Sequence, residues 1–389
     1  MKIVGIVFAH NEWGLIAVSI SHALINHVDE VYVVDHASTD QTFHGLNHLK
    51  KLWGERLHII TINNIGFFQE AATNTIIQIS KKSNPDWIYV FDADEFLLVD
   101  ESTSLRKILS NTEKCHQAIR YTVNNYISTR HFNDLILDNY KNIIHKSVPN
   151  PEIEKKANTR PYKSLTKNKT IPELIYDGDA TFFDIPFPSK VIIRLSDFLQ
   201  ITAGAHSAIH FKGNVQGKHI KEIEAAHLTY PTKKRLQNKA EHGEFKIKNK
   251  FPPNHGWQNQ LVYKIAQEGR LDWFWEKHSM PDKPTSKSLG PAHIIDRRFS
   301  EIITKTTDFL EKGFQSGDLS MIGEKTIEKD SGDETQISIS EMIMLSETLR
   351  TQNTALIDNF YKTLQEKPLY RLLKTAKHVE REIRKRTRF

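Results

Sequence analysis

The run WIYVFDADEFLLVD (87–100) places three acids, Asp92, Asp94 and Glu95, at the end of a stretch apolar enough to be buried. Carboxylates are almost never left inside a core without a partner, so either a cation sits there or the strand ends at solvent. In a strand, positions i and i+2 share a face, which predicts that Asp92 and Asp94 aim together while Ala93 packs on the other side. Two hard oxygen ligands at that spacing suit Mg2+ or Mn2+ and leave positions for phosphate oxygens. A cation bridging a diphosphate neutralises the charge that builds as the diphosphate leaves.

The elements that must position these acids alternate along the first hundred residues. Apolar, β-branched runs at 2–9, 29–38, 56–62 and 86–94 read as strands. Between them, 12–28, 41–54 and 68–83 show helical spacing, with Gly54 a fitting residue just past a helix end. Strand–helix alternation with short links predicts a mostly parallel α/β sheet flanked by helices. Ligands in such sheets bind beyond the carboxyl ends of the strands. Three polar clusters fall there: His10-Asn11-Glu12, Asp35 to Asp40, and Asp92 to Glu95.

Further along, the pattern weakens from about 125 to 180, and 145–174 reads as a long loop or small flap. Strands are expected in 189–211. A strand, a turn at Pro231 and a basic helix are expected in 222–250, then helices rich in aromatics over 257–280 and a loop at 281–293. Residues 323–336 read as a polar linker, and 337–365 as a helix with Met342, Leu349 and Leu356 seven apart, which could pair with its copy in a homodimer.

At 389 residues the chain is long enough for one large α/β domain plus an appendage, or for two domains. The longest apolar runs are strand-sized, and the start is too soon polar for a signal peptide. The single Cys115 excludes an internal disulfide and suits a reducing cytosol. Of the formal +6, residues 367–389 hold +7 (nine Lys/Arg, two Glu), so the rest of the chain sits at −1. The body therefore has no global nucleic-acid signature. In the tail, Leu369, Leu372, Leu373, Ala376, Val379 and Ile383 at helical spacing oppose a basic face. Such a helix can lie on the anionic inner face of a cell membrane, or else pack on the body or a second chain.

DWIYVFDADEFLL (86–98), with FAHNE (8–12) and VDEVYVVDHASTDQT (28–42), resembles the glycosyltransferase family 2-like proteins of the GT-A fold. KVIIR (190–194), AGAHSAIH (203–210) and HLTYPTKKRLQNKAEHG (227–243) resemble the later blocks of a subgroup with the D-A-D-E-F metal motif. Lys234 departs from the subgroup, whose members tend to carry serine there. The resemblance implies a GT-A catalytic domain over 1–250. A helical, aromatic extension over 251–322 would pack on it, followed by the 323–336 linker and a helical 337–389 region. It implies a metal-dependent transfer of a sugar from a nucleotide-diphosphate donor, most simply a UDP-sugar, to a glycan or glycolipid hydroxyl in surface-polysaccharide synthesis. Asn11, Glu12, Asp35, Asp92, Lys190 and Arg194 would contact the donor. Asp92 and Asp94, with His227 or His206, would hold Mn2+ or Mg2+. Glu95 and Asp184 are candidates for the base, with Asp177 and Asp179 also open.

Other readings have less support. Phosphatases that use D-x-D carry it on the first strand, and nucleotidyltransferases announce a Gly-rich loop after strand one that FAHNEWG lacks. A non-catalytic, membrane-associated binding protein that keeps the fold remains the alternative. The fold class expected is thus α/β, a GT-A type Rossmann-like sheet with a C-terminal helical extension.

Overall fold

The computed structural model describes residues 1–62, 69–132, 137–153, 169–196, 199–210, 213–215, 217–250, 256–282, 290–314, 339, 342–344 and 346–347. The linker 323–336 and the basic tail 368–389 lie outside the described residues, as does most of 337–365.

Four strands, β1 (Ile3–Ala9), β2 (Glu30–His36), β3 (Leu57–Ile62) and β4 (Trp87–Asp92), pair in parallel in the order β3-β2-β1-β4. The helices α1 (Trp13–Asn26), α2 (Thr42–Trp53) and α3 (Gln69–Ser80) connect them. The strands read as unbroken apolar runs because both faces are covered. Alternation then sorts them between two cores. Ile3, Val7, Val31, Val33, Trp87, Tyr89 and Phe91 join α1 and α2 on one face. Val4, Ile6, Tyr32, Val34, Ile88 and Val90 join α3 on the other. Each fully buried Val, Ile or Phe contributes about 1.5–3 kcal/mol, so the strand ends on this sheet are held firmly.

The fourth strand is shorter than expected. β4 ends at Asp92, Ala93 and Asp94 form a turn, and β5 (Glu95–Val99) departs to pair with a late strand. After α4 (Leu105–Ser110) come β6 (Ala118–Ile127), α5 (Leu137–Lys141), β7 (His145–Ser147) and α6 (Ile171–Asp177). Next are β8 (Lys190–Arg194), the small hairpin sheet β9 (Leu199–Ile201), β10 (Ala208–His210) and β11 (Gly213–Val215), and then β12 (Lys218–His227). β8 inserts antiparallel between β4 and β6, while β12 pairs parallel with β6 and antiparallel with β5. The result is a ten-stranded mixed sheet, parallel through its N-terminal strands and flanked by helices: the GT-A type, Rossmann-like arrangement.

α7 (Lys233–Lys248) follows the Pro231 turn, with the Thr232 hydroxyl capping it by accepting from the Arg235 N–H. α7 packs on α8 (Trp257–Gln267), and with α6 and α9 (Leu271–Lys277) they bury a third, aromatic core around Phe182, Tyr230 and Phe274. β13 (His293–Ile295) edges the sheet beyond β7. α10 (Arg298–Phe314) returns to the first core through Phe299, Ile303 and Leu310. Ile339 and Ile343, one turn apart, are buried against the second core.

Candidate active site

The carboxyl ends of β1, β2 and β4 meet at one rim, as this topology requires. Two loops there are stitched together by Asn11, which adopts a left-handed backbone (φ 55°) that asparagine tolerates better than most residues. Its Oδ1 accepts from the backbone N–H groups of Thr39 at 2.7 Å and Asp40 at 3.2 Å, and its own N–H donates to Ser38 Oγ at 3.0 Å. Asn11 thereby sets the spacing between the β1 and β2 ends. Asp40 accepts from the Thr42 N–H at the start of α2, as a capping residue would. Asp35 is fully buried at the end of β2 and accepts from the Ser38 N–H at 3.3 Å. Neither Asn11 nor Asp35 projects its polar group freely into solvent.

The turn after β4 separates the two aspartates that a continuous strand would have aimed together. Asp92 turns to β8, where Lys190 Nζ contacts its Oδ2 at 2.6 Å and Glu95 Oε1 at 2.7 Å. Lys190 is 1% exposed and Glu95 also 1%, so these two are locked beneath the rim while Asp92 stays open to solvent. Burial opposes the lysine's charge, yet Asp92 and Glu95 together hold its pKa above the ordinary lysine value. Burial raises the pKa of Glu95 above the ordinary glutamate range, with Lys190 opposing and Asp92 adding to the rise. A side chain so enclosed supports Asp92 rather than reaching an acceptor hydroxyl.

Asp94 faces the other way. Its Oδ1 lies 3.5 Å from His227 Nε2 and its Oδ2 3.3 Å from Lys239 Nζ on α7. Burial would raise its pKa, but Lys239, His227 and Arg235 outweigh that and hold it well below the usual carboxylate range. His227, at the end of β12, is oriented from behind: Nδ1 donates to Asn125 Oδ1 at 2.8 Å, and that oxygen also accepts from the Thr229 hydroxyl at 2.9 Å. With Nδ1 held by this network, the ring presents Nε2 toward Asp94. A carboxylate plus a histidine whose second nitrogen is tied to an acceptor is a donor pair suited to a divalent ion. Among the described residues Asp92 does not join Asp94 and His227 as a set of three ligand atoms within 4.8 Å of one another, and its Oδ2 is turned to Lys190. Among the described residues, the set of three potential ligands within 4.8 Å of one another is elsewhere, at Glu113, Cys115 and His116 on the surface.

The remaining candidates scatter. Glu12 is engaged by the buried Arg235 on α7, and burial raises its pKa against the pull of that guanidinium. His206 lies near the site without touching Asp94. Its Nδ1 faces the Ser189 carbonyl at 3.2 Å, and Phe187 stands between the two histidines, 4.3 Å from the His227 ring and 6.0 Å from that of His206. Burial lowers the His206 pKa, and neighbouring Lys190 lowers it further.

Arg194 lies at the wrong end of the sheet. β8 runs antiparallel to β4 with Arg194 opposite Trp87, so it sits at the start of β4, over the Trp87 ring at 4.4 Å and bonded to the Thr112 carbonyl. Four strand positions separate it from Lys190, about 13 Å. Asp184 caps the turn at Thr181, accepting from its N–H at 2.6 Å and its hydroxyl at 2.8 Å. Asp177 and Asp179 both pair with Lys169.

Arg235, Lys239 and Asn125 were not singled out by sequence reasoning. The helical spacing of 235 and 239 was the available signal for the first two. Asn125 offered none, because its role depends on β6 lying beside β12.

Residues 6–177 match the model of the family described as Glycosyl transferase family 2. That segment holds the β1, β2 and β4 ends, while Lys190, His227 and α7 lie beyond it. No curated protein matches the chain significantly. Among solved structures it is similar to S. aureus TarS 1–349, at 13% identity and TM-score 0.32, covering 69% of this chain and 72% of that one. It is also similar to the mannosyltransferase PcManGT from Pyrobaculum calidifontis, solved with GDP-Man and Mn2+, at 13% identity and TM-score 0.31, covering 89% and 86%. Glucosyl-3-phosphoglycerate synthase from Mycobacterium tuberculosis, solved with Mn2+, UDP and glucosyl-3-phosphoglycerate, shares 16% identity over 34% of this chain and 45% of that one, at TM-score 0.21. At these TM-scores the similarity does not extend to function. No helix among the described residues is long and apolar enough to cross a membrane.

Proposed function

We propose that this chain is a glycosyltransferase that moves a sugar from a nucleoside diphosphate, a UDP-sugar in the simplest case, to a hydroxyl of a glycan or glycolipid acceptor of the cell surface. The observation that carries the reading is Asp94: an anionic carboxylate at the rim of the sheet, 3.5 Å from a histidine whose far nitrogen is pinned by Asn125. The family match over the same strand ends supports it. Asp94 and His227 would hold Mn2+ or Mg2+, and a divalent ion there supplies charge neutralisation for the departing diphosphate. Asp92, held by Lys190, would face the donor from the opposite side of the turn. The basic tail would place the enzyme on an anionic leaflet beside a lipid-linked acceptor.

One observation favours a second reading. Asp92 and Asp94 each already have an internal cation, Lys190 and Lys239, which a non-catalytic nucleotide-sugar-binding protein would tolerate. A thermal-shift screen of nucleotide sugars with and without Mn2+, followed by a nucleotide-release assay on any hit, separates the two. The enzyme reading expects one donor to stand out with metal, Asp94→Asn to lose that shift, and free nucleotide to accumulate. Binding without release would leave the second reading standing, and no metal-dependent shift with any donor would reject the first.

A further inference from the structure

The turn between α4 and β6 gathers three side chains of the kinds that bind metal. Glu113, Cys115 and His116 each offer one donor atom, and the three atoms lie within 4.8 Å of one another. Cys115 Sγ stands 3.5 Å from Glu113 Oε2 and 3.2 Å from His116 Nδ1. The His116 N–H donates to the Glu113 carbonyl at 3.0 Å, which closes the turn and brings the side chains together.

Two further observations separate this cluster from an ordinary grouping of surface polar residues. The first is what holds it. Arg194, at the sheet edge away from the rim, grips the turn at both ends. Its Nη2 donates to the Thr112 carbonyl at 3.0 Å and its backbone N–H to the Gln117 carbonyl at 2.9 Å. The Thr112 hydroxyl is tied to the Ile108 carbonyl at 2.9 Å, and the Gln117 side chain donates to the Lys114 carbonyl at 3.2 Å. Donors placed by such outer contacts lose little freedom when an ion joins them. The second is charge. Glu12, Asp92 and Asp94 each meet a lysine or arginine. Among the described residues the carboxylate of Glu113 meets the Cys115 thiol instead, and no cation pairs with it.

The spacing matches one coordination geometry. Zinc takes sulfur at about 2.3 Å and nitrogen or oxygen at about 2.0–2.2 Å, so tetrahedral angles set sulfur about 3.5 Å from either neighbour. Both contacts of Cys115 are close to that length. Thiolate and imidazole favour zinc over Mg2+ or Mn2+, which distinguishes this cluster from the Asp94 and His227 pair. Cys115 is exposed, which leaves the fourth position to water.

We propose that Glu113, Cys115 and His116 form a binding site for a zinc-class divalent cation. As the sulfur–metal bond forms, the thiol proton passes to solvent. The bound ion clips the turn that leads into β6, and the site is independent of glycosyl transfer at the rim.

Titration of the full chain with Co2+, after reduction and under nitrogen, tests it. Thiolate ligation of cobalt gives an ultraviolet charge-transfer band, and Cys115 is the single cysteine, so an ion at Asp94 and His227 cannot produce this signal. Wild type should develop the band together with the visible absorption of a tetrahedral ion, saturate at one ion per chain and be bleached by Zn2+. Cys115→Ser should abolish the band. Glu113→Gln and His116→Gln should each weaken cobalt binding about tenfold or more, with circular dichroism unchanged. No band in wild type, or saturation at one ion to two chains, overturns the proposal. So does wild-type affinity in both glutamine variants, because the sulfur would then capture the ion alone.

Discussion

At the scale of single residues, the site is a set of carboxylates held by internal cations. Lys190 serves Asp92 and Glu95 together, and its position 1% exposed makes its charge expensive to orphan. Removing one partner of a buried ion pair costs about 3–5 kcal/mol, more than the pair itself contributes. Lys190→Met should therefore lower the urea midpoint sharply. Adding Glu95→Gln should recover part of the loss, because one of the two stranded carboxylates is then neutral. Equal stability of the single and double variants would show that Glu95 takes up a proton once Lys190 is gone. Asn125 acts on Asp94 only through His227. Asn125→Ala frees the imidazole to rotate, and Mn2+ affinity should fall about 10- to 100-fold, read by direct metal titration. Unchanged affinity in Asn125→Ala combined with Thr229→Val, which removes the other contact to Nδ1, would mean that His227 is not a ligand.

At the scale of elements, α7 is the piece that brings the second half of the chain onto the rim. It reaches Glu12 and Asp94 only because it lies close against α8, and Gly243 permits that approach. A Cβ at Gly243 would collide with the Asn259 carbonyl, which is backbone and cannot swing aside. Gly243→Ala should cost about 1–3 kcal/mol by overpacking and should shift α7, weakening the Lys239–Asp94 contact with it. Thermal denaturation reads the first effect. A variant as stable as wild type would show that the helices can separate without penalty.

At the scale of the whole molecule, the cores contain histidines that must stay neutral. His22 and His27 both direct Nε2 to the Leu97 carbonyl at 2.8 Å, and His278 lies stacked on Phe274 at 3.8 Å. Burial lowers their pKa values to about 4, about 3 and about 3, from an ordinary 6.5. Below pH 6.5 the unfolded chain takes up these protons and the folded chain does not, so stability present above 6.5 is lost as pH falls toward 4. Each histidine adds a slope on the order of 1 kcal/mol per pH unit. Chemical denaturation between pH 7 and 5 should show this decline, and His22→Gln with His27→Gln should flatten it. A flat wild-type profile would contradict it.

The four parallel strands, their helices and the rim clusters were legible in the sequence because apolar periodicity is local and both sheet faces are buried. Family-like strings marked Asp94 and His227 as well. What no local pattern carried was where the fourth strand stops. Continuous alternation put Asp92 and Asp94 on one face, whereas the turn at 93–94 sends one to Lys190 and the other to His227 and Lys239. Arg194 likewise looked like a partner for Lys190 until the antiparallel placement of β8 carried it to the far edge. Composition and periodicity thus settle which residues are strand ends. Which charge meets which depends on strand direction and on a helix arriving from over a hundred residues away, and these are fixed by packing that the chain reaches only when folded.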